Sequence, residues 1–116
     1  MALTHIQAGK FTWDEFGMEG VNLRLTTFGK SSSHLPMKCG FYEFKTGDSI
    51  DFDYQYDEFK YIIDGEAYLK VRGDRTYHIK KGDCLLIEKG TFVNYSTPSI
   101  FVMYYVSQQD DLMLDD

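Results

Sequence analysis

Glu58 and Lys60 stand two residues apart in the run Tyr54-Gln55-Tyr56-Asp57-Glu58-Phe59-Lys60-Tyr61-Ile62. In an extended strand alternate residues share a face, so the acid and the base point the same way, in company with Phe52, Tyr54 and Ile62. A carboxylate among aromatic rings is costly to bury or must hold a proton, and an ammonium beside it neutralises it. Such a pair can hold a small polar ligand or move a proton, which makes Glu58 and Lys60 the candidate catalytic residues; a structural ion pair is the competing reading. Tyrosines bring an apolar ring and one polar tip to a cavity wall, so Tyr54, Tyr56, Tyr95 and Tyr104 are candidate ligand-binding residues, with Tyr105 in the same set. Asn94 joins them if a bulge turns its amide inward. The chain holds nine Tyr and nine Phe, and most of these rings are expected simply to fill a core.

Other reactive side chains form no pattern. Glu43, Asp48, Asp51, Asp53, Asp57 and Glu58 crowd a short stretch in which Lys45 is the one base. Alternation sends Asp51 and Asp53 to the face opposite Glu58, which argues against a shared hard-cation site. Cys39 and Cys84 sit singly among apolar neighbours and read as buried free thiols rather than zinc ligands or a redox dithiol. His5, His34 and His78 are too dispersed for a triad, and Ser31-Ser32-Ser33 lacks the turn that exposes a nucleophile. No Gly-x-x-x-x-Gly-Lys loop is present to cradle a phosphate.

With 116 residues the chain suits one domain, and its net charge of −6 removes the basic stripe that nucleic-acid binding needs. No apolar run approaches the roughly 20 residues of a bilayer span, so no membrane partner is expected and a soluble, cytoplasmic protein is. Four of the acids, Asp110, Asp111, Asp115 and Asp116, lie in the last stretch, which is read as a solvated acidic tail over residues 108–116.

The elements that must position the Glu58–Lys60 pair are short strands. Runs at 21–28, 37–44, 49–54, 58–63, 66–71, 76–79, 84–87, 92–95 and 100–106 alternate apolar and polar residues, a period of two. Asp64-Gly65, Arg72-Gly73-Asp74, Lys81-Gly82-Asp83 and Lys89-Gly90 punctuate them, and Asp64-Gly65 predicts a tight hairpin. About nine strands at this spacing mean an all-β sandwich or barrel over residues 21–107. Residues 1–20 are expected to form an arm, with one short helical turn within 11–18.

The segment from Tyr56 to Glu66 resembles the second half of the first cupin motif, and Gly82-Asp83-Cys84-Leu85-Leu86-Ile87-Glu88-Lys89-Gly90 resembles the second motif, with Glu88 where proline is usual. The resemblance implies a cupin-type double-stranded β-helix, a small jelly-roll barrel that often forms a homodimer. Metal-dependent cupins carry a His-x-His pair before the glutamate and a third histidine in the second motif; here Phe52, Tyr54 and Val93 stand at those places, so no metal and no cofactor is expected. A narrower likeness, carried by Met37 to Phe44, Tyr54 to Gly65 and Glu88 to Pro98, is to the EutQ family of ethanolamine utilisation. It implies a role in ethanolamine catabolism, association with its microcompartments, and an acetate kinase activity proposed for the family. The leading expectation is therefore a metal-free EutQ-like cupin that binds a small polar molecule. Its rivals are a structural or regulatory dimeric module without catalysis and a metal-dependent enzyme with an unusual ligand set.

Overall fold

The computed structural model describes residues 12–15, 22–26, 29–30 and 37–108, together with positions 5, 7 and 9. Among these residues there is no helix, and the chain runs through β1 (Asp14–Glu15), β2 (Asn22–Leu25), β3 (Gly29–Lys30), β4 (Lys38–Lys45), β5 (Ile50–Asp53), β6 (Glu58–Val71), β7 (Thr76–Lys80), β8 (Cys84–Ile87), β9 (Phe92–Ser96) and β10 (Ile100–Ser107). Every pairing is antiparallel. One sheet runs β1-β2-β4-β10-β6-β8, with β3 also on β4, and the other runs β7-β6-β9-β5. The all-β expectation holds. At Asp14 and Glu15 the expected helical turn is instead a two-residue strand on Leu25 and Arg24. The tail beyond Gln108 and the Ser31-Ser32-Ser33-His34 segment lie outside the described residues.

Alternation explains the core. Tyr42 and Phe44 of β4, Ile62 of β6, Met103 and Tyr105 of β10 meet Phe52 of β5, Leu69 of β6, Val93 and Tyr95 of β9 in one buried cluster between the sheets. Their odd or even neighbours face outward. Cys84 does so too: on β8 it is exposed while Ile87 is buried, which corrects the expectation of a buried thiol there; Cys39 is half-buried.

The Asp64-Gly65 reversal is absent, and β6 instead runs unbroken for 14 residues through both sheets. Its first half pairs with β8 and its second with β7 and β9. At the crossing, the register against β10 shifts between Val102, opposite Asp64, and Met103, opposite Ile62, so Ile63 is the extra residue of a bulge. Asp64 Oδ1 accepts the Gly65 amide at 2.9 Å, and Gly65 has φ of +76°. Hairpins and bulges both demand a residue that tolerates positive φ, so the same dipeptide serves either. Here the glycine has a second duty: a Cβ on it would fall 1.8 Å from the carbonyl oxygen of Ile100. The other predicted turns hold, with Gly73, Gly82 and Gly90 also at positive φ.

Gly65→Ala is thus expected to destabilise the fold by about 2 kcal/mol or more, the sum of a strained backbone and a displaced strand. Urea unfolding should show a lowered midpoint; an unchanged midpoint would contradict the crossing geometry.

Candidate functional site

The strand β6 enters the interior with Glu58, Lys60 and Ile62 inward and Phe59 and Tyr61 outward. Phe52 of β5 and Tyr54 and Tyr56 of the following loop also point in, while Asp51, Asp53, Gln55 and Asp57 are exposed. The stretch 52–62 is therefore a single alternating face, as the pattern of acids, rings and base implied. Lys60 Nζ lies 3.1 Å from Glu58 Oε2, and the two side chains are 3% and 1% exposed. This is the one close polar contact of the carboxylate, and Glu58 Oε1 has no hydrogen-bond partner among the described residues. A buried carboxylate ordinarily collects several donors, so this one retains unused acceptor capacity.

Rings complete the surroundings. Lys60 Nζ stands 4.3 Å from the centre of the Tyr42 ring and 5.6 Å from that of Tyr95, the distances at which an ammonium is drawn to a π face. The hydroxyls of Tyr54 and Tyr95 bond to one another. Burial pushes the Lys60 ammonium below its ordinary value, the negative charge of Glu58 opposing this but not cancelling it. Burial, reinforced by Glu58, pushes the Tyr42, Tyr54 and Tyr95 phenols well above theirs. These three tyrosines are therefore neutral hydroxyls at any physiological pH.

The structure thus brings together Glu58, Lys60, Tyr54, Tyr56 and Tyr95. Tyr104 and Asn94 go elsewhere. On β10 the inward residues are Met103 and Tyr105, which sends Tyr104 to the outer face, edge-on to Phe41 with ring centres 5.7 Å apart. On β9 Val93 and Tyr95 are inward, and no bulge turns Asn94, whose amide bonds Asp51 at 2.7 Å and Ser49 at 3.1 Å on the outside. Tyr42 was not anticipated at the site; its place on the even face of β4, with Phe44, is the signal that marks it.

A divalent metal does not fit this interior. Phe52, Tyr54 and Val93 are all buried at the places where imidazoles would be needed, and Glu58 is the one buried carboxylate among the described residues. Asp51 and Asp53 lie on the opposite face of β5, and no three His, Cys, Asp or Glu side chains converge among the described residues. Phenyl and isopropyl groups offer no lone pair to an ion.

A cleft of about 330 Å³ opens beside the pair, between β8 and the second sheet. Its walls include Leu85 and Ile87, the cross-strand partners of Lys60 and Glu58, together with Tyr77, Ile79 and Val93. The lining is largely apolar, with Asp74 and Thr91 among its polar members, and neither Glu58 nor Lys60 forms part of it.

This architecture, a curled antiparallel sheet folded over on itself, is that of a small cupin. An RmlC-like cupin from Shewanella frigidimarina superposes over 95% of both chains with a TM-score of 0.75 at 13% identity, a likeness of fold alone. The family described as "Ethanolamine utilisation protein EutQ" matches residues 14–112, and the chain belongs to it. The ethanolamine utilisation protein Q of Salmonella typhimurium LT2 is 25% identical and superposes over 92% of this chain and 86% of its own with a TM-score of 0.77. A curated relative, the acetate kinase EutQ of Clostridioides difficile, is 32% identical over 73 residues, 63% of this chain. The chain spans 45% of that relative's length.

Removing one partner of a buried ion pair strands the other, at a cost of about 3–5 kcal/mol. Glu58→Gln and Lys60→Met should each show it, and the double variant should lose less than either alone. The lone Lys60 of Glu58→Gln binds its proton less readily folded than unfolded, where its value is near 10.5. Below the folded value both states are protonated and the deficit is full; between the two values the unfolded chain holds more protons, so stability rises with pH. The Glu58→Gln deficit should accordingly shrink as denaturation is followed from pH 7 to pH 10.

Proposed function

We propose that the chain is a metal-free cupin of ethanolamine utilisation, cytoplasmic and associated with the microcompartments of that route, which binds a small polar molecule at Glu58 and Lys60. The observation that carries this reading is a fully buried carboxylate whose one close polar neighbour among the described residues is the Lys60 ammonium, held in a shell of tyrosines. Its unused lone pairs and the neighbouring ring faces suit an alkylammonium group, and the ammonium of Lys60 suits a small carboxylate. Ethanolamine has the first of these groups and acetate the second. Both are named in the descriptions of the chain's relatives. The cleft between β8 and the second sheet would give the approach once Leu85 and Ile87, which part it from the pair, move aside. Acid–base chemistry would run with Lys60, acidified by its burial, giving a proton and Glu58 taking one.

A second reading, a module that works through its dimer, is favoured by the outer face of the first sheet. Phe41, Tyr104, Tyr61 and Cys84 form one cross-strand row over β4, β10, β6 and β8, and Cys39, Val106, Phe59 and Leu86 form the next. Leu86 is 73% exposed, Tyr61 44% and Phe59 40%. An apolar face of this extent suits a self-complementary contact between two copies. The two readings are compatible, since the dimer face and the ion pair occupy opposite sides of the same sheet.

The binding reading predicts that millimolar ethanolamine or acetate raises the melting temperature of the wild-type protein, and that neither does so for the Glu58→Gln/Lys60→Met double variant. Equal shifts in both proteins, or none in the wild type, would reject it. The dimer reading predicts a light-scattering mass of twice 13.5 kDa that falls to the monomer value in Leu86→Glu.

A further inference from the structure

A buried hydroxyl stands next to Glu58 with nothing to bond. Ser107, the last residue of β10, is 1% exposed, and its Oγ has no hydrogen-bond partner among the described residues. Phe101, Met103 and Tyr105 are the inward residues before it, so a serine ends a face otherwise made of rings and one thioether. Ser107 is the cross-strand partner of Glu58, the first residue of β6. Opposite residues of an antiparallel pair share a face, with Cβ atoms about 4.5–5.5 Å apart, so the hydroxyl and the carboxylate open on the same interior space. Its neighbour on the other side, Lys38 of β4, is buried too and engaged with other residues. The pairing continues past this row, since Gln108 donates its amide to the Asp57 carbonyl at 3.4 Å, and the serine is therefore not at a frayed strand end.

Burial takes from a hydroxyl the water it bonds in the unfolded chain, which is why buried hydroxyls nearly always find a partner. An apolar side chain at 107 would close the row without that penalty, as Ile87 does on the far side of Glu58. The two unpaired atoms are complementary. Ser107 offers a proton that no atom takes, and Glu58 Oε1 offers lone pairs that no proton meets, yet the two do not bond to each other. One inserted group can satisfy both if it accepts as well as donates. An ammonium only donates and would leave the serine proton unused, whereas a carboxylate only accepts and would meet Glu58 with like charge. A hydroxyl does both through one oxygen and brings no charge. The Tyr54 and Tyr95 hydroxyls do not compete for this place, because they bond to one another.

We infer that Ser107 is a specificity-determining residue, which donates to a hydroxyl of the bound molecule while that hydroxyl gives its own proton to Glu58 Oε1. The ligand is then a small alcohol that carries an ammonium group, with its alcohol end on the serine side of the carboxylate. This rests on the reading that Glu58 and Lys60 hold a small polar molecule, and it goes further by choosing among amines. A site that hydrogen-bonds a hydroxyl rejects the analogue lacking it strongly, because its own polar atoms are then left unpaired. Ethanolamine and ethylamine differ by that one group.

The test is isothermal titration of the full chain, wild type and Ser107→Ala, with ethanolamine, ethylamine and acetate. The wild type is expected to bind ethanolamine at least tenfold more tightly than ethylamine. Ser107→Ala should bring the two amines within about twofold of each other by weakening ethanolamine alone, while acetate, which belongs to Lys60, keeps its affinity. The variant deletes a hydroxyl without a partner and should melt as high as the wild type; a melting temperature lowered by about 5 °C or more would mean that the hydroxyl is already bonded within the fold and would overturn the inference. Should the variant not fold, that result overturns it in the same way. Equal affinity of the wild type for the two amines overturns the inference and leaves the binding reading standing, as does a tenfold preference that survives in Ser107→Ala. Acetate binding with no binding of either amine overturns it as well. A wild type that binds neither ethanolamine nor acetate fails the binding reading itself, and the inference with it.

Discussion

A carboxylate and an ammonium shut away from water side by side are the constraint around which this barrel is arranged. Each charge alone in such surroundings is untenable, and each is tolerable only because the other is 3.1 Å away and rings rather than alkyl groups stand behind them. The position of Lys60 follows from strand alternation, and that of Glu58 from the same strand two residues earlier, so the pair costs no extra backbone device. What it does require is that β6 begin inside the barrel, in register with both β8 and β10.

That requirement connects the site to the bulge at Ile63. A strand of 14 residues serving two sheets must change direction, and Gly65 permits the change by letting the Ile100 carbonyl approach where any side chain would stand. The first half of β6 then carries Glu58 and Lys60 inward at even positions. Beyond the bulge the inward residues are Ala67 and Leu69, at odd positions. The parity switch is the direct mark of the extra residue.

Most of this was readable in advance, and the failures have physical reasons. The period of two from Phe52 to Ile62 identified the inward face, and Phe52, Tyr54 and Val93 announced an interior poor in metal donors. Asp64-Gly65 misled because positive φ is shared by a hairpin and a bulge, and local residues do not say which partner strand lies opposite. Tyr104 and Asn94 were chosen for side-chain chemistry, whereas parity on β10 and β9 places them outside. Tyr42 went unnoticed because its contact with Lys60 joins strands that are far apart in sequence.

Two short edge strands of the barrel share a neighbour. β7 and β8 each pair with β6 and with no other described strand, one on each half of it. β8 contributes four residues and a four-pair ladder, whereas β10 is held along its length by β4 and β6. Peeling β8 away would sever few backbone bonds and leave the rest of the ladder intact, yet it would uncover the flank of Glu58 and Lys60 directly. Solvent or a solute entering the interior would therefore meet least resistance at this one hinged slat, and the barrel need not unfold to breathe.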